Sequence, residues 1–219
     1  MRALLAAMVV LAAAPAFAQT QPDERIYVGG VGGFAVAPDG TSGTVMGEVG
    51  YRVAPNLFVV GNLGQFHNLQ PSSIQPSIDD ETLTLLNSGL TVTGTAQAPA
   101  WFTTGGVRYE IPLRKRIAPY VFTGIGFARM TPTAQFTYGS GTLLGSSPNP
   151  GDDVTPQLLA LGDYIQPPSE NAFMFSAGAG INAPLAPHFG LDIGYRLSHM
   201  AFDQPITAQS VTFGIGYRF

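Results

Sequence analysis

The sequence predicts an all-β fold, a single closed eight-stranded antiparallel barrel that crosses a membrane with its strands. Three observations carry that prediction. Charged residues make up only 11% of the chain and 45% is hydrophobic, whereas soluble domains are about 25% charged. Beyond residue 18, however, no apolar run has the roughly 20 residues a spanning helix needs. Lipid admits only structures that satisfy every backbone polar group internally, so with helices excluded a closed barrel remains. Second, segment after segment alternates apolar with small or polar residues, the period of a strand with one oily face. Third, the last nine residues, Val211 to Phe219, keep this alternation to the final position, where a soluble chain ordinarily frays.

The elements follow in order. Met1-Arg2, the apolar run that follows and Ala16-Phe17-Ala18 read as a secretory signal cleaved after Ala18. Residues 19–219 then form the barrel domain. The lack of cysteine is compatible with export to an oxidising compartment. The first strand, Arg25 to Val36, places Ile26, Val28, Phe34 and Val36 on one face with Gly30 and Gly32. Pro38 to Ser42 turns it. The second, Gly43 to Val53, sets Val45, Val49, Tyr51 and Val53 against Thr44, Met46, Glu48, Gly50 and Arg52. Ala54-Pro55-Asn56 turns into the third, Leu57 to Phe66. Its faces stay ambiguous, because Phe58 and Val60 share a side with Asn62.

A long polar connection, His67 to Pro99, comes next. Ser77 followed by Asp79-Asp80-Glu81 and then Leu83, Leu85 and Leu86 predicts a capped helical turn or two. The fourth strand, Ala100 to Ile111, sends Trp101, Val107, Tyr109 and Ile111 one way and Phe102, Thr104, Arg108 and Glu110 the other. Pro112 to Pro119, with Arg114-Lys115-Arg116, is a short basic turn. The fifth strand, Tyr120 to Met130, alternates Val121, Thr123, Ile125 and Phe127 with Gly124, Gly126 and Ala128. Thr131 to Glu170 is the longest connection; around Gln135 to Tyr138 it can extend the flanking strands, or hold another hairpin in a ten-stranded alternative. The sixth and seventh strands are Asn171 to Asn182 and His188 to His199. Ala201 to Ala208 leads to the last. No proline falls inside a proposed strand, where it would remove a ladder hydrogen bond.

Aromatics gather at the strand ends. Tyr51, Tyr109, Phe189, Tyr217 and Phe219 mark one rim, while Phe34, Trp101, Phe127 and Phe173 mark the other, as two membrane interfaces require. With this pattern and its terminal Phe213, Tyr217 and Phe219, the sequence resembles the small bacterial outer-membrane β-barrel family, porin-like barrel domains included. The resemblance implies a multi-pass barrel in the outer membrane with short turns toward the periplasm. It also implies an exterior made of the long loops, contact with lipid and lipopolysaccharide, and a final strand read by the barrel-assembly machinery through Phe213, Tyr217 and Phe219. A non-enzymatic structural or surface-interaction role follows as the expectation, with a narrow conduit for small or hydrophobic solutes as the alternative. A monomer is expected, and the net charge of −4 argues against a nucleic-acid partner.

The charges give the interior. Glu48, Arg52, Arg108, Glu110, Asp192, Arg196 and Arg218 all fall on inward faces; Arg129 alone falls outward, close to a rim. A lysine or arginine at mid-membrane on the lipid face costs about 2–4 kcal/mol, which the inward phase avoids. Eight strands leave an interior that side chains fill, so the expected lumen is a packed ionic network without an open channel. Asp192 is expected to pair with Arg218 on the neighbouring strand, and Glu48 with Arg108 or Arg52.

Rival chemistry is weak. Small barrels that deacylate lipid A carry a His and a Ser near the outer edge, and Ser198-His199 looks similar. Adjacent strand residues nevertheless point to opposite faces, and the family's order, His two residues before Ser, is not reproduced. Gly30-Val31-Gly32 and Gly124-Ile125-Gly126 open no helix and bind no dinucleotide. His67, His188 and His199 are too scattered for a metal, and the acidic pairs lack calcium-loop spacing. No catalytic residue, cofactor or metal is expected.

Overall fold

Strand alternation becomes a wall with two sides. The structure is a computed structural model that describes residues 25–38, 40–69, 74–112, 117–145 and 147–219. The signal segment and the basic triplet Arg114 to Arg116 lie outside those residues. Eight strands form the wall: β1 (Ile26–Ala37), β2 (Gly40–Ala54), β3 (Leu57–Phe66), β5 (Ala100–Glu110), β6 (Ala118–Met130), β8 (Glu170–Pro184), β9 (Phe189–Met200) and β10 (Ile206–Arg218). They pair antiparallel around a closed ring, and the last pair seals first strand to last, with Val28 opposite Tyr217. Closure leaves no unpaired sheet edge for lipid to desolvate. The seal reaches the final residue, whose N–H donates to the Ile26 carbonyl at 2.8 Å.

The outward set is the oily one. Phe34 is 73% exposed and Phe127 66%, and Val45, Tyr109, Ile193 and Phe213 face out with them. Arg108, Asp192 and Arg196 are buried inside. Strand β3 resolves its ambiguity: Phe58, Val60, Asn62 and Phe66 point inward, while Val59 and Leu63 face lipid. The observed strands run one to three residues past several of the expected ends. Pro38 and residue 39 alone separate β1 from β2, and β10 begins at Ile206 rather than after Ala208.

The rim where β1 begins and β10 ends carries the connections that follow β2, β5 and β8. The opposite rim carries a folded cap. After β3 the chain forms helix α1 (Ile74–Asn87) and strand β4 (Leu90–Gln97); after β6 it forms strand β7 (Thr133–Gly141) and helix α2 (Thr155–Leu161). β4 pairs with β7 as a separate two-stranded sheet, from Gln97 opposite Thr133 to Leu90 opposite Gly141. The sheet continues the β5–β6 pair upward, since Thr131 N–H still bonds the Pro99 carbonyl at 3.0 Å. The strand expected near Gln135 therefore exists, but its partner comes from the other loop and not from a hairpin of its own.

Helix α1 is longer than the expected turn or two, and Ser77 sits inside it rather than at its start. Pro76 stands near its beginning, a position where a missing N–H is tolerated. Ile74, Ile78 and Leu85 form its buried stripe, and Gly94 of β4 lies beneath: a Cβ there would come within 2.4 Å of Ile78. Helix α2 carries Pro156 in its first turn and stops at Gly162, whose φ of 80° suits a residue without a side chain.

One apolar core joins cap and barrel. Met46, Phe66, Phe102, Met130, Met174 and Met200 fill the capped half of the lumen and are continuous with Ile78, Val92, Phe136 and Leu158 above. This apolar half is a finding that the expectation of an ionic lumen did not include.

Candidate functional site

The other half of the lumen holds the charges. Glu48 on β2, Arg108 and Glu110 on β5, Asp192 and Arg196 on β9 and Arg218 on β10 all point in because each is out of phase with the oily positions of its strand. Arg108 is the hub. Its Nη1 lies 3.1 Å from Glu48 Oε1, and its Nη2 lies 3.3 Å from Asp192 Oδ2 and 3.6 Å from Glu110 Oε1. Its guanidinium also stacks on the Tyr120 ring, 3.5 Å from the centroid. Arg196 meets the second Glu48 oxygen at 3.4 Å and lies over the Phe122 ring at 4.1 Å. Arg218 reaches Glu110 at 2.7 Å. Three carboxylates thus face three guanidiniums, and the cluster is neutral as a unit.

Neutrality alone does not make such a cluster stable, because each ion leaves water at a cost of several kcal/mol. Further hydrogen bonds offset that cost. Tyr120 donates its hydroxyl to Asp192 Oδ1 at 2.7 Å, and Tyr27 donates to Glu48. Arg196 donates to Asn62 Oδ1 at 3.5 Å, and the Asn62 amide donates to Thr104 at 3.2 Å. Tyr27, Tyr120 and Asn62 were not among the expected network residues. Their signal was available in the phase: Tyr27 falls between outward Ile26 and Val28, and Tyr120 immediately precedes outward Val121.

Two expectations need correction. Asp192 does not pair with Arg218. In the β9–β10 register Asp192 stands opposite Gly214, and Arg218 lies four residues further along, where its backbone N–H bonds the His188 carbonyl. Four residues is about 13 Å of strand, so Arg218 pairs with Glu110 and Asp192 with Arg108. Arg52 shares no ion pair with the others among the described residues; its guanidinium lies 5.3 Å from the Phe58 ring centroid. Glu48 takes Arg108, as one of its two expected partners.

Little space is left. The lumen retains a cavity of about 30 Å³ beside Tyr27, Glu48, Arg108 and Asp192, room for a water or two. Above it the apolar half is closed by Met174 and Met200, both fully buried.

The remaining sequence candidates are accounted for by position. Ser198 is fully buried and faces the lumen, its Oγ unpaired among the described residues, while His199 is exposed on the outer face with Nδ1 2.9 Å from Thr207 Oγ1. They share no proton path. The terminal aromatics form a ladder at the rim: Tyr217 packs edge-on to Phe189 at 5.0 Å and to Phe219 at 4.8 Å, and Phe213 is exposed to lipid.

Comparison with known proteins fits this geometry. The family described as outer membrane protein beta-barrel domain matches residues 3–219. Among solved structures, Neisserial surface protein A aligns with a TM-score of 0.53 at 13% identity, covering 89% of this chain and 96% of that one. A major outer membrane protein from Thermus thermophilus aligns with a TM-score of 0.53 at 12% identity, covering 89% and 98%. Identities this low establish likeness of fold alone. No curated protein matches the chain by sequence.

Proposed function

The chain belongs to the outer-membrane β-barrel family and resides in the bacterial outer membrane, and on that premise we propose that it is a non-conducting, non-enzymatic barrel whose folded cap is an exterior interaction surface. One observation carries this reading: the interior is filled in two different ways, by a neutral ion cluster below and by an apolar plug above. That plug is one core with the cap. A conducting barrel needs a continuous wet path, and methionines and phenylalanines packed across the bore oppose it. A barrel that only displays loops needs what is found here, a rigid base beneath an ordered cap.

Short turns then face the periplasm, and β4, β7, α1 and α2 face outward. Phe213, Tyr217 and Phe219 serve as the signal for the assembly machinery, and the exposed belts contact lipid and lipopolysaccharide. Planar-bilayer recording tests the proposal: purified protein is expected to give no reproducible channels, and channels whose conductance changes in Glu48→Gln would overturn it. Incubation with lipopolysaccharide tests the other half. Release of fatty acid that is lost in Ser198→Ala would make the barrel an enzyme.

A further inference from the structure

The outward face of the wall does not stop at the rim. Pairing of β5 with β6 sets Trp101 opposite Arg129. With no slip of register, β4 and β7 then set Gln97 opposite Thr133, Thr95 opposite Gln135 and Thr93 opposite Thr137. The chemistry changes along this one face. Phe127 faces hydrocarbon two residues before Arg129 on β6, and Phe173 stands beside it on β8. From Gln97 and Thr133 upward the face is hydroxyl and amide, without a charge until Asp153. That carboxylate stands opposite Thr137 and already accepts from Gln135 at 3.5 Å. The back of the ribbon is closed, since Val92, Ala96 and Phe136 belong to the core of the cap.

Threonine suits any exposed strand, so the ribbon by itself says little. Arg129 supplies the independent observation. It is the one outward-facing charge of the eight barrel strands, it is exposed, and it forms no ion pair among the described residues. Its cross-strand neighbours are Trp101 on one side and Asn171 on the other, both exposed. Outward aromatics such as Phe127 mark the edge of the hydrocarbon. Two residues of strand, about 7 Å, carry Arg129 from there to the depth of lipid phosphates. A guanidinium binds phosphate through two parallel N–H bonds. Height then decides which phosphate lipid. From Arg129 to Thr137 the face rises eight residues, about 26 Å of strand, whereas an ordinary headgroup layer is only about 5–8 Å deep.

We propose that this face binds a lipopolysaccharide molecule of the outer leaflet. Arg129 takes a phosphate of its lipid anchor, Trp101 packs where acyl chains meet the headgroup, and the β4–β7 ribbon lies along the core sugars. Threonine hydroxyls and glutamine amides both donate and accept, as sugar hydroxyls require. A phospholipid would satisfy Arg129 and leave the ribbon bare, while a free sugar would satisfy the ribbon and leave Arg129 unmatched. The inference rests on the reading of the cap as the exterior surface, and it gives the lipid contact of that reading one side of the barrel and named residues.

The test uses the full chain in dodecyl maltoside micelles, titrated with lipopolysaccharide that carries its core sugars and read by Trp101 fluorescence and native mass spectrometry. Lipid A without sugars, phosphatidylglycerol and inorganic phosphate are the comparisons. Saturable binding of the sugar-bearing lipid is expected, with lipid A about tenfold weaker and the other two weaker still. Arg129→Gln should weaken both lipopolysaccharide forms about tenfold, since it removes one charge-assisted contact. Thr93→Val with Thr95→Val should weaken only the sugar-bearing form, several-fold, while folded mobility in unheated gels is kept. The proposal is overturned by absence of saturable binding, by phosphatidylglycerol or lipid A binding as tightly as the sugar-bearing form, or by unchanged affinity in Arg129→Gln. Orientation is read separately with Ile165→Cys, at an exposed cap position in a chain that otherwise lacks cysteine, and an impermeant maleimide on intact cells. Failure to label would overturn the exterior cap, whereas labelling without micellar binding overturns this inference alone.

Discussion

Arg108 shows how much one side chain can hold. It touches two carboxylates on two other strands and lies between two tyrosine rings, 3.5 Å from the Tyr120 centroid and 5.2 Å from that of Tyr27. Removing it leaves Glu48 and Asp192 buried without a hub. Arg108→Ala is therefore expected to destabilise the folded barrel by about 3–5 kcal/mol. Arg108→Lys should recover only part of this, because an ammonium cannot replace the planar fork and its stacking. Urea unfolding in vesicles would measure both, with Trp101 as reporter; it is the sole tryptophan and faces lipid. Equal stability of Arg108→Ala and wild type would remove the network from the account.

Glycine matters at a different point of the wall. A Cβ at inward Gly126 would meet the Thr103 carbonyl oxygen at 1.9 Å, whereas one at outward Gly30 would meet nothing within 4 Å. Neither has positive φ, so the difference is one of close backbone approach where the wall bends. Gly126→Ala should cost about 1–3 kcal/mol, and Gly30→Ala should be close to neutral. The same unfolding experiment compares them.

Elements show why the cap is more than connecting chain. Fully buried Phe136 lies on β7, and its backbone N–H bonds Thr155 Oγ1 at 2.7 Å, tying that strand to α2. Phe136→Ala should open a cavity worth about 3–5 kcal/mol. It falls on the cap, so amides of β4 and β7 should exchange faster while those of β9 and β10 keep their protection. If the barrel amides loosen equally, cap and barrel are one cooperative unit.

Acid should act on the same element. Hydrogen bonds from Thr155, side chain first and then backbone, hold the Asp153 carboxyl below its ordinary value of 3.8. A depressed folded pKa gives stabilisation that is present above the unfolded value and lost as pH falls through the folded one. Amide exchange at Thr155 and Phe136 should thus accelerate only below about pH 3.8, and Asp153→Asn should remove that dependence. Acceleration near neutral pH would point to another group.

The whole molecule behaves as a sealed cylinder, and that has an outcome of its own. Every strand of the wall has two neighbours and the last residue is pinned to the first strand, so no frayed edge offers detergent a start. Unheated protein should migrate in gels as a compact band that boiling shifts. Deleting Tyr217 to Phe219 removes the last two of the ten pairs between β1 and β10, together with the terminal aromatics, and should abolish the compact band. A truncated chain that still shows it would mean that closure does not depend on the terminal aromatics.

Length and alternation by themselves determined the eight barrel strands, the lipid-facing sides of all but β3 and the inward phase of seven charged residues. These follow from a local rule: a two-residue period in front of hydrocarbon leaves one choice of face. Leu90-Thr91-Val92-Thr93 obeys the same period, yet its strand stayed hidden because β4 has no partner nearby in the chain; it pairs with β7, which lies in the other long connection. Only the closed structure decided which ions meet. Partner choice depends on register between strands, and a displacement of four residues separates Asp192 from Arg218 and hands each to β5. The apolar plug was equally beyond local reading, since inward Met46, Phe102 and Met174 become a core only when the ring closes and the cap descends on them.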